Sequence, residues 1–228
     1  MSAQSKQSPQ PVQPSASDAA TSTVDAVMSA APVIPVIVVN DADRAVPLAQ
    51  ALVRGGITSL EITLRTPAGL EAIRTVAAEV PQARVGAGTV LSPADVEACA
   101  EVGATFLVSP GTTPALLDAM VASGLAVLPG VSGPAELMSV LERGLTRAKL
   151  FPASVVGGPA MLRALGGPFP DVRFCPTGGV SPSNARDYLS LGNVACVGGS
   201  WLTPRDAVEA GDWDHIEELA RRAAALRP

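Results

Sequence analysis

Lysine is almost missing from this chain: there are two, Lys6 and Lys149, against fourteen arginines. Histidine is scarcer still, with His215 alone, and the three cysteines (Cys99, Cys175, Cys196) form no CxxC. With no HExxH either, the sequence offers no zinc site, and the expected metal complement is none. Three scattered thiols are no disulfide framework; they suit a reducing compartment, so a cytoplasmic location is expected. Positive charge is in deficit, 16 Lys plus Arg against 21 Asp plus Glu, for a net charge of −5. That balance excludes a nucleic-acid backbone as partner. No apolar run approaches the ~18 residues of a membrane span. The longest, Ala30 to Val39, is broken by Pro32 and Pro35. Aromatics make up only 3%, yet 47% of the 228 residues are hydrophobic, enough for one domain with a large core.

Residues 1–17 are rich in Gln, Ser and Pro and hold almost no large apolar side chains. They cannot bury enough surface to offset ordering and read as a disordered tail; lacking an apolar core segment, they do not read as a secretory signal. From Asp18 to Ala31 a helical pattern (Val24, Val27, Met28) ends at Pro32, so the ordered domain is expected over 18–228. Eight short Val/Ile/Leu-rich runs follow: Val33–Val39, Ile57–Leu64, Arg84–Val90, Ala104–Ser109, Leu125–Pro129, Arg147–Phe151, Val172–Thr177 and Val194–Gly198. Between them lie amphipathic stretches such as Ala42–Arg54, Ala68–Val80, Pro93–Val102, Pro114–Ser123 and Pro134–Arg143, several opened by Ser-Pro, Thr-Pro or Gly-Pro. Strand then helix, repeated eight times, predicts parallel pairing and a single compact (β/α)8 TIM barrel behind an N-terminal helix. The competing layout, an open doubly wound sheet, lacks a GxGxxG after the first strand; Gly86-Ala87-Gly88 is too short a match.

Barrel strands alternate inward and outward side chains. In Leu60-Glu61-Ile62-Thr63-Leu64-Arg65 the polar residues Glu61, Thr63 and Arg65 then share the interior, and in Arg147-Ala148-Lys149-Leu150-Phe151 so do Arg147, Lys149 and Phe151. Unpaired, such charges cost several kcal/mol each. One reading is a structural ion pair of Glu61 with Lys149 or Arg147. The other is chemical: a desolvated lysine can shed its proton and act as a nucleophilic amine, which arginine cannot. Glu61, Arg65 and Lys149 also stand toward the C-terminal ends of their strands, where barrel active sites assemble.

Glycine pairs mark two late turns, Thr177-Gly178-Gly179 and Gly198-Gly199-Ser200. They are tight turns, or they form the phosphate site recurrent after strands seven and eight of barrels, with backbone amides, Thr177 and Ser200 as donors. His215 reads as surface. Cys175 and Cys196 read as small apolar strand residues, since no histidine accompanies them.

The ordered series Pro35-Val36-Ile37-Val38-Val39, Leu60-Glu61-Ile62-Thr63-Leu64-Arg65-Thr66, Val85-Gly86-Ala87-Gly88-Thr89-Val90-Leu91, Lys149-Leu150-Phe151-Pro152-Ala153, Arg173-Phe174-Cys175-Pro176-Thr177-Gly178-Gly179 and Gly198-Gly199-Ser200-Trp201-Leu202 resembles the 2-keto-3-deoxy-6-phosphogluconate (KDPG) and 4-hydroxy-2-oxoglutarate (KHG) aldolase family. The similarity runs from about Pro32 to the end. It implies a cofactor-free, class I Schiff-base aldolase, a carbon–carbon lyase of the Entner-Doudoroff pathway and usually a homotrimer. By this resemblance Lys149 is the Schiff-base lysine and Glu61 the general acid/base. Arg65 and Thr89 bind the substrate carboxylate, Pro110 and Phe151 line the pocket, and Thr177, Gly178, Gly179 and Ser200 hold the phosphate. Leu150 departs from the family's frequent Lys-Phe-Phe-Pro, at a position that alternation turns outward. The implied reaction releases pyruvate and glyceraldehyde 3-phosphate, with KHG cleavage to pyruvate and glyoxylate as a second activity. The alternatives are the C4 epimer, 2-keto-3-deoxy-6-phosphogalactonate, as substrate; a phosphosugar isomerase or epimerase using Glu61 without a covalent step; and a non-catalytic phosphate- or keto-acid-binding barrel.

Overall fold

A computed structural model describes residues 16–226; the expected tail over 1–17 lies outside these except for its last two residues, which belong to the first helix. That helix, α1 (Ala16–Ser29), stands where the Val24/Val27/Met28 pattern places one. The strands that follow are β1 (Val33–Ile37), β2 (Ser59–Thr63), β3 (Arg84–Gly88), β4 (Phe106–Val108), β5 (Ala126–Leu128), β6 (Gly130–Val131), β7 (Arg147–Leu150), β8 (Arg173–Phe174) and β9 (Val197–Gly199). Helices alternate with them: α2 (Ala45–Arg54), α3 (Gly69–Glu79), α4 (Pro93–Glu101), α5 (Pro114–Ala122), α6 (Pro134–Leu141), α7 (Gly158–Gly166), α8 (Ala185–Leu189), α9 (Arg205–Ala210) and α10 (Trp213–Ala224). Proline at the first turn pre-sets φ for a helix where its missing N–H costs nothing. At α4 the Ser92 side chain also accepts from the Asp95 amide while Asp95 returns the bond, a capping box; Thr113 caps α5 through the Leu116 amide.

All strand pairings are parallel, but they do not form the closed eight-stranded (β/α)8 barrel that the alternation predicts. Six strands make a half-barrel sheet in the order β5-β4-β3-β2-β1-β9, and β6-β7-β8 make a separate three-stranded sheet. The ladder breaks in two places, each for a local reason. The predicted fifth strand, Leu125–Pro129, stops as β5 before Pro129, which has no N–H to give, and β6 starts beyond that proline in the other sheet. Between β8 and β9 only isolated bridges remain, Phe174 to Val194 and Thr177 to Gly198, beside a second interrupting proline, Pro176.

The core has two parts. Outward strand residues such as Leu60, Ile62, Leu107, Ala148 and Leu150 pack with the helices into the larger cluster. Inward residues Ile34, Phe106, Val108, Ala126, Leu128, Cys175 and Cys196 form a smaller cluster with Val24, Val27 and Met28 of α1, so that helix covers the inner face of the sheets. Its seat is fastened by Arg147 at the start of β7, which grips Asp25 with two hydrogen bonds of 2.5 and 2.8 Å. No described helix is long and apolar enough to cross a membrane.

Candidate active site

Lys149 lies on β7 and Glu61 on β2, so the two belong to different sheets and meet across the interior. Lys149 Nζ donates to Glu61 Oε1 at 2.9 Å, with side chains only 5% and 3% exposed. The Phe151 ring lies with its centroid 5.6 Å from the same ammonium. The Pro110 backbone lies against Gly130, on the strand beside Lys149. Gly130 is Lys149's register partner, and a Cβ there would sit 2.4 Å from the Pro110 carbonyl carbon; only glycine lets the turn after β4 come this close.

Two arginines placed inside by alternation stand elsewhere. Arg147 turns to Asp25, because the first residue of a strand lies within reach of α1 rather than of the site. Arg65 lies past the end of β2, in an exposed turn, and points its Nε at Thr89 Oγ1, 3.3 Å away. That turn is braced on both sides. The Leu64 amide donates to Gly88 O at 2.9 Å, and Thr66 Oγ1 donates to Val39 O at 2.5 Å. Thr63, buried, donates to Ile37 O at 2.8 Å and ties the ends of β1 and β2 together.

Thr89 itself is unusual, a β-branched residue with φ of +60°. Left-handed backbone of this kind costs on the order of 1–3 kcal/mol and collects at functional sites. Here it turns the chain out of β3 with the Thr89 hydroxyl facing Arg65.

The late glycine turns come together through Thr177, which bridges to Gly198 across the break between β8 and β9. A Cβ on Gly198 would lie 2.1 Å from Thr177 Oγ1, so the threonine side chain is laid into the space that glycine leaves. Gly178 and Gly179 have φ of 96° and 75°, a pair that L side chains would strain. Their carbonyls are occupied: the Ser154 amide donates to Gly178 O at 3.0 Å, and Asn184 Nδ2 to Gly179 O at 3.0 Å. Among the described residues nothing accepts from the amides of Gly178, Gly179 or Val180, which leaves three successive donors for an anion. Ser200 follows β9 directly and is exposed. Two supports of this turn escaped the sequence reading, Ser154 and Asn184. The second had a signal, Ser181-x-x-Asn184, since Asn184 Oδ1 also accepts from the Ser181 amide at 2.8 Å.

Cys175 and Cys196 lie beneath the site in the inner cluster. Interaction with the neighbouring Cys175 side chain pushes the Cys196 thiol well above its usual range, helped by burial and by the Glu61 carboxylate. Cys196 therefore stays protonated and fills space. His215 is exposed at the start of α10, its backbone amide held by the Asp212 carboxylate. Among the described residues no cluster of His, Cys, Asp or Glu is arranged to hold a metal ion.

Comparison with known proteins identifies the family. The family model for KDPG and KHG aldolase matches residues 24–219. The 2-dehydro-3-deoxy-phosphogluconate aldolase of Pseudoalteromonas atlantica is 54% identical over 83% of this chain and 88% of its own. The KHG/KDPG aldolase of Escherichia coli K12 is 54% identical over 82% of this chain and 88% of its own. Among solved structures, KDPG aldolase from Legionella pneumophila, with pyruvate captured as a covalent carbinolamine, superposes with a TM-score of 0.86 at 45% identity, covering 88% of this chain and 98% of that one. This chain is a carbon–carbon lyase and belongs to the KDPG and KHG aldolase family.

Proposed function

We propose that the chain cleaves KDPG to pyruvate and glyceraldehyde 3-phosphate through a Schiff base on Lys149. The observation that carries this reading is the buried contact of 2.9 Å between Lys149 Nζ and Glu61 Oε1. It places an amine nucleophile beside a proton acceptor in a site from which water is largely excluded. Lys149 adds to the C2 ketone once its proton has passed to Glu61. Glu61 then returns a proton to the carbinolamine hydroxyl, which leaves as water. The resulting iminium accepts the electron pair of the C3–C4 bond while Glu61 takes the C4 hydroxyl proton, and glyceraldehyde 3-phosphate departs. Protonation of the enamine at C3 and hydrolysis release pyruvate and restore the amine.

Arg65 grips the substrate carboxylate, two parallel hydrogen bonds being within a guanidinium's geometry, with Thr89 beside it. Pro110 and Phe151 wall the keto acid. The amides at Gly178 and Gly179, with Thr177 and Ser200, hold the phosphate and lend remote binding energy to the reacting end. No cofactor is required. The relatives' names support KHG cleavage to pyruvate and glyoxylate as a second activity. The working form is a homotrimer of 18–228 domains in the cytoplasm, serving the Entner-Doudoroff pathway. The test is a lactate-dehydrogenase-coupled assay on KDPG and on its C4 epimer. Pyruvate release from KDPG at the higher kcat/KM is expected; faster turnover of the galactonate epimer, or no pyruvate from either, contradicts the reading.

A further inference from the structure

The Gly86-Ala87-Gly88 run belongs to no nucleotide fingerprint, yet both glycines stand on the inward face of β3, paired in register with Glu61 and Thr63 of β2. Neither has a positive φ, so the backbone alone does not call for glycine at either position. Space does. A Cβ on Gly88 would fall 2.3 Å from Glu61 Oε1, 2.6 Å from its Cγ and 2.8 Å from its Cδ. The Glu61 side chain thus runs along β3 through the volume a side chain at 88 would fill. We propose that Gly88 is a positioning residue for Glu61: its missing Cβ sets the carboxylate against β3 and so at hydrogen-bonding distance from Lys149. The inference rests on the reading of Glu61 and Lys149 as the proton-transfer pair.

β3 cannot yield to an added methyl, being paired to β2 along its length and to β4 at Ala87. The acid must move instead, because a buried carboxylate has room for its terminal atoms only where a neighbour lacks them. Gly86 is a control made by the same strand. It faces the same way and takes the same added methyl, but, although it pairs in register with Glu61, its Cβ would first meet the Phe106 ring at 2.5 Å, in the apolar cluster, rather than the carboxylate.

The experiment compares wild type, Gly88→Ala, Gly86→Ala, Glu61→Gln and the Glu61→Gln/Gly88→Ala double variant. Three quantities are read: exchange of pyruvate methyl hydrogens with D2O against pH, borohydride trapping of pyruvate on Lys149, and the urea midpoint. Gly88→Ala is expected to slow exchange by ~100-fold and displace its pH profile, while saturating pyruvate is still trapped on Lys149. Added to Glu61→Gln, it is expected to change exchange by less than ~3-fold, since its effect passes through the acid. Gly86→Ala is expected to lower the urea midpoint and leave the pH profile in place. The proposal is overturned if Gly88→Ala exchanges like wild type, if it slows the Glu61→Gln enzyme as much as it slows wild type, or if the two alanine variants lose exchange only in proportion to stability. Wild-type protein that traps no pyruvate overturns the Schiff-base reading itself, and this proposal with it.

Discussion

Replacing Lys149 with methionine removes a cation from a place where its partner cannot reach water. The contact is 2.9 Å between side chains 5% and 3% exposed. At an effective dielectric constant of 20 the attraction across that distance is about 6 kcal/mol, and most of it offsets the desolvation of both groups. Lys149→Met forfeits the attraction and leaves Glu61 desolvated, so the expected loss is about 3–5 kcal/mol, or roughly 10 °C in melting temperature for a chain of this size. In the Glu61→Gln/Lys149→Met double variant the stranded charge is gone, and stability should recover by ~2 kcal/mol or more over the single variant. Urea denaturation at neutral pH, followed by circular dichroism, measures all three. A third variant separates charge from chemistry: Lys149→Arg should keep much of the stability and lose covalent catalysis, falling more than ~1000-fold in turnover. Lys149→Met protein within ~1 kcal/mol of wild type, or a double variant no more stable than the single, would refute the reasoning that a charged pair is sealed between the sheets.

Further outcomes follow from the turns and thiols. Thr89→Gly relieves a left-handed β-branched residue, a gain of about 1–3 kcal/mol set against about 0.5–1 for glycine's added freedom. It should therefore stabilise the protein in urea while raising KM for the keto acid, because Arg65 loses its partner. Gly179→Ala brings a Cβ to 2.0 Å from Ser154 Oγ at a φ of 75°. It should cut kcat/KM for KDPG by ~10–100-fold yet affect phosphate-free KHG by less than ~3-fold, and an equal loss on both substrates would remove phosphate from this turn. Burial, with a smaller push from Asp95, raises Cys99 from 9.0 to about 12. The unfolded chain gives up that proton near pH 9 and the folded chain keeps it, so stability should fall as pH rises from 9 toward 12. Cys99→Ala should flatten part of that alkaline slope in urea midpoints.

Strands and helices were legible because each leaves a local mark. β3 begins at the predicted Arg84, and α4, α5 and α6 begin at the predicted prolines 93, 114 and 134. The polar pair was legible because Lys149 and Glu61 break apolar runs at inward positions. Leu150, turned outward by alternation, is fully buried against the helices. The breaks in the ladder had a signal, Pro129 and Pro176 with no hydrogen to donate, but the repeat of strand and helix says nothing of which neighbouring strands complete their pairing. Parity likewise failed at strand ends. Arg147 and Arg65 have the inward phase, but one lies under α1 and the other beyond the last strand hydrogen bond, where alternation no longer binds. Gly88 was opaque for another reason. A glycine that makes room for a residue 27 positions earlier shows nothing in its own neighbourhood of the chain.

The proposed chemistry requires one sheltered amine to bond covalently to a ketone. Incubating the protein with pyruvate, reducing with sodium borohydride and mapping the product by peptide mass spectrometry tests it most directly. One reduced pyruvate per chain is expected, on the peptide that carries Lys149, and none in Lys149→Arg. An unmodified chain, or an adduct on any other residue, would contradict it.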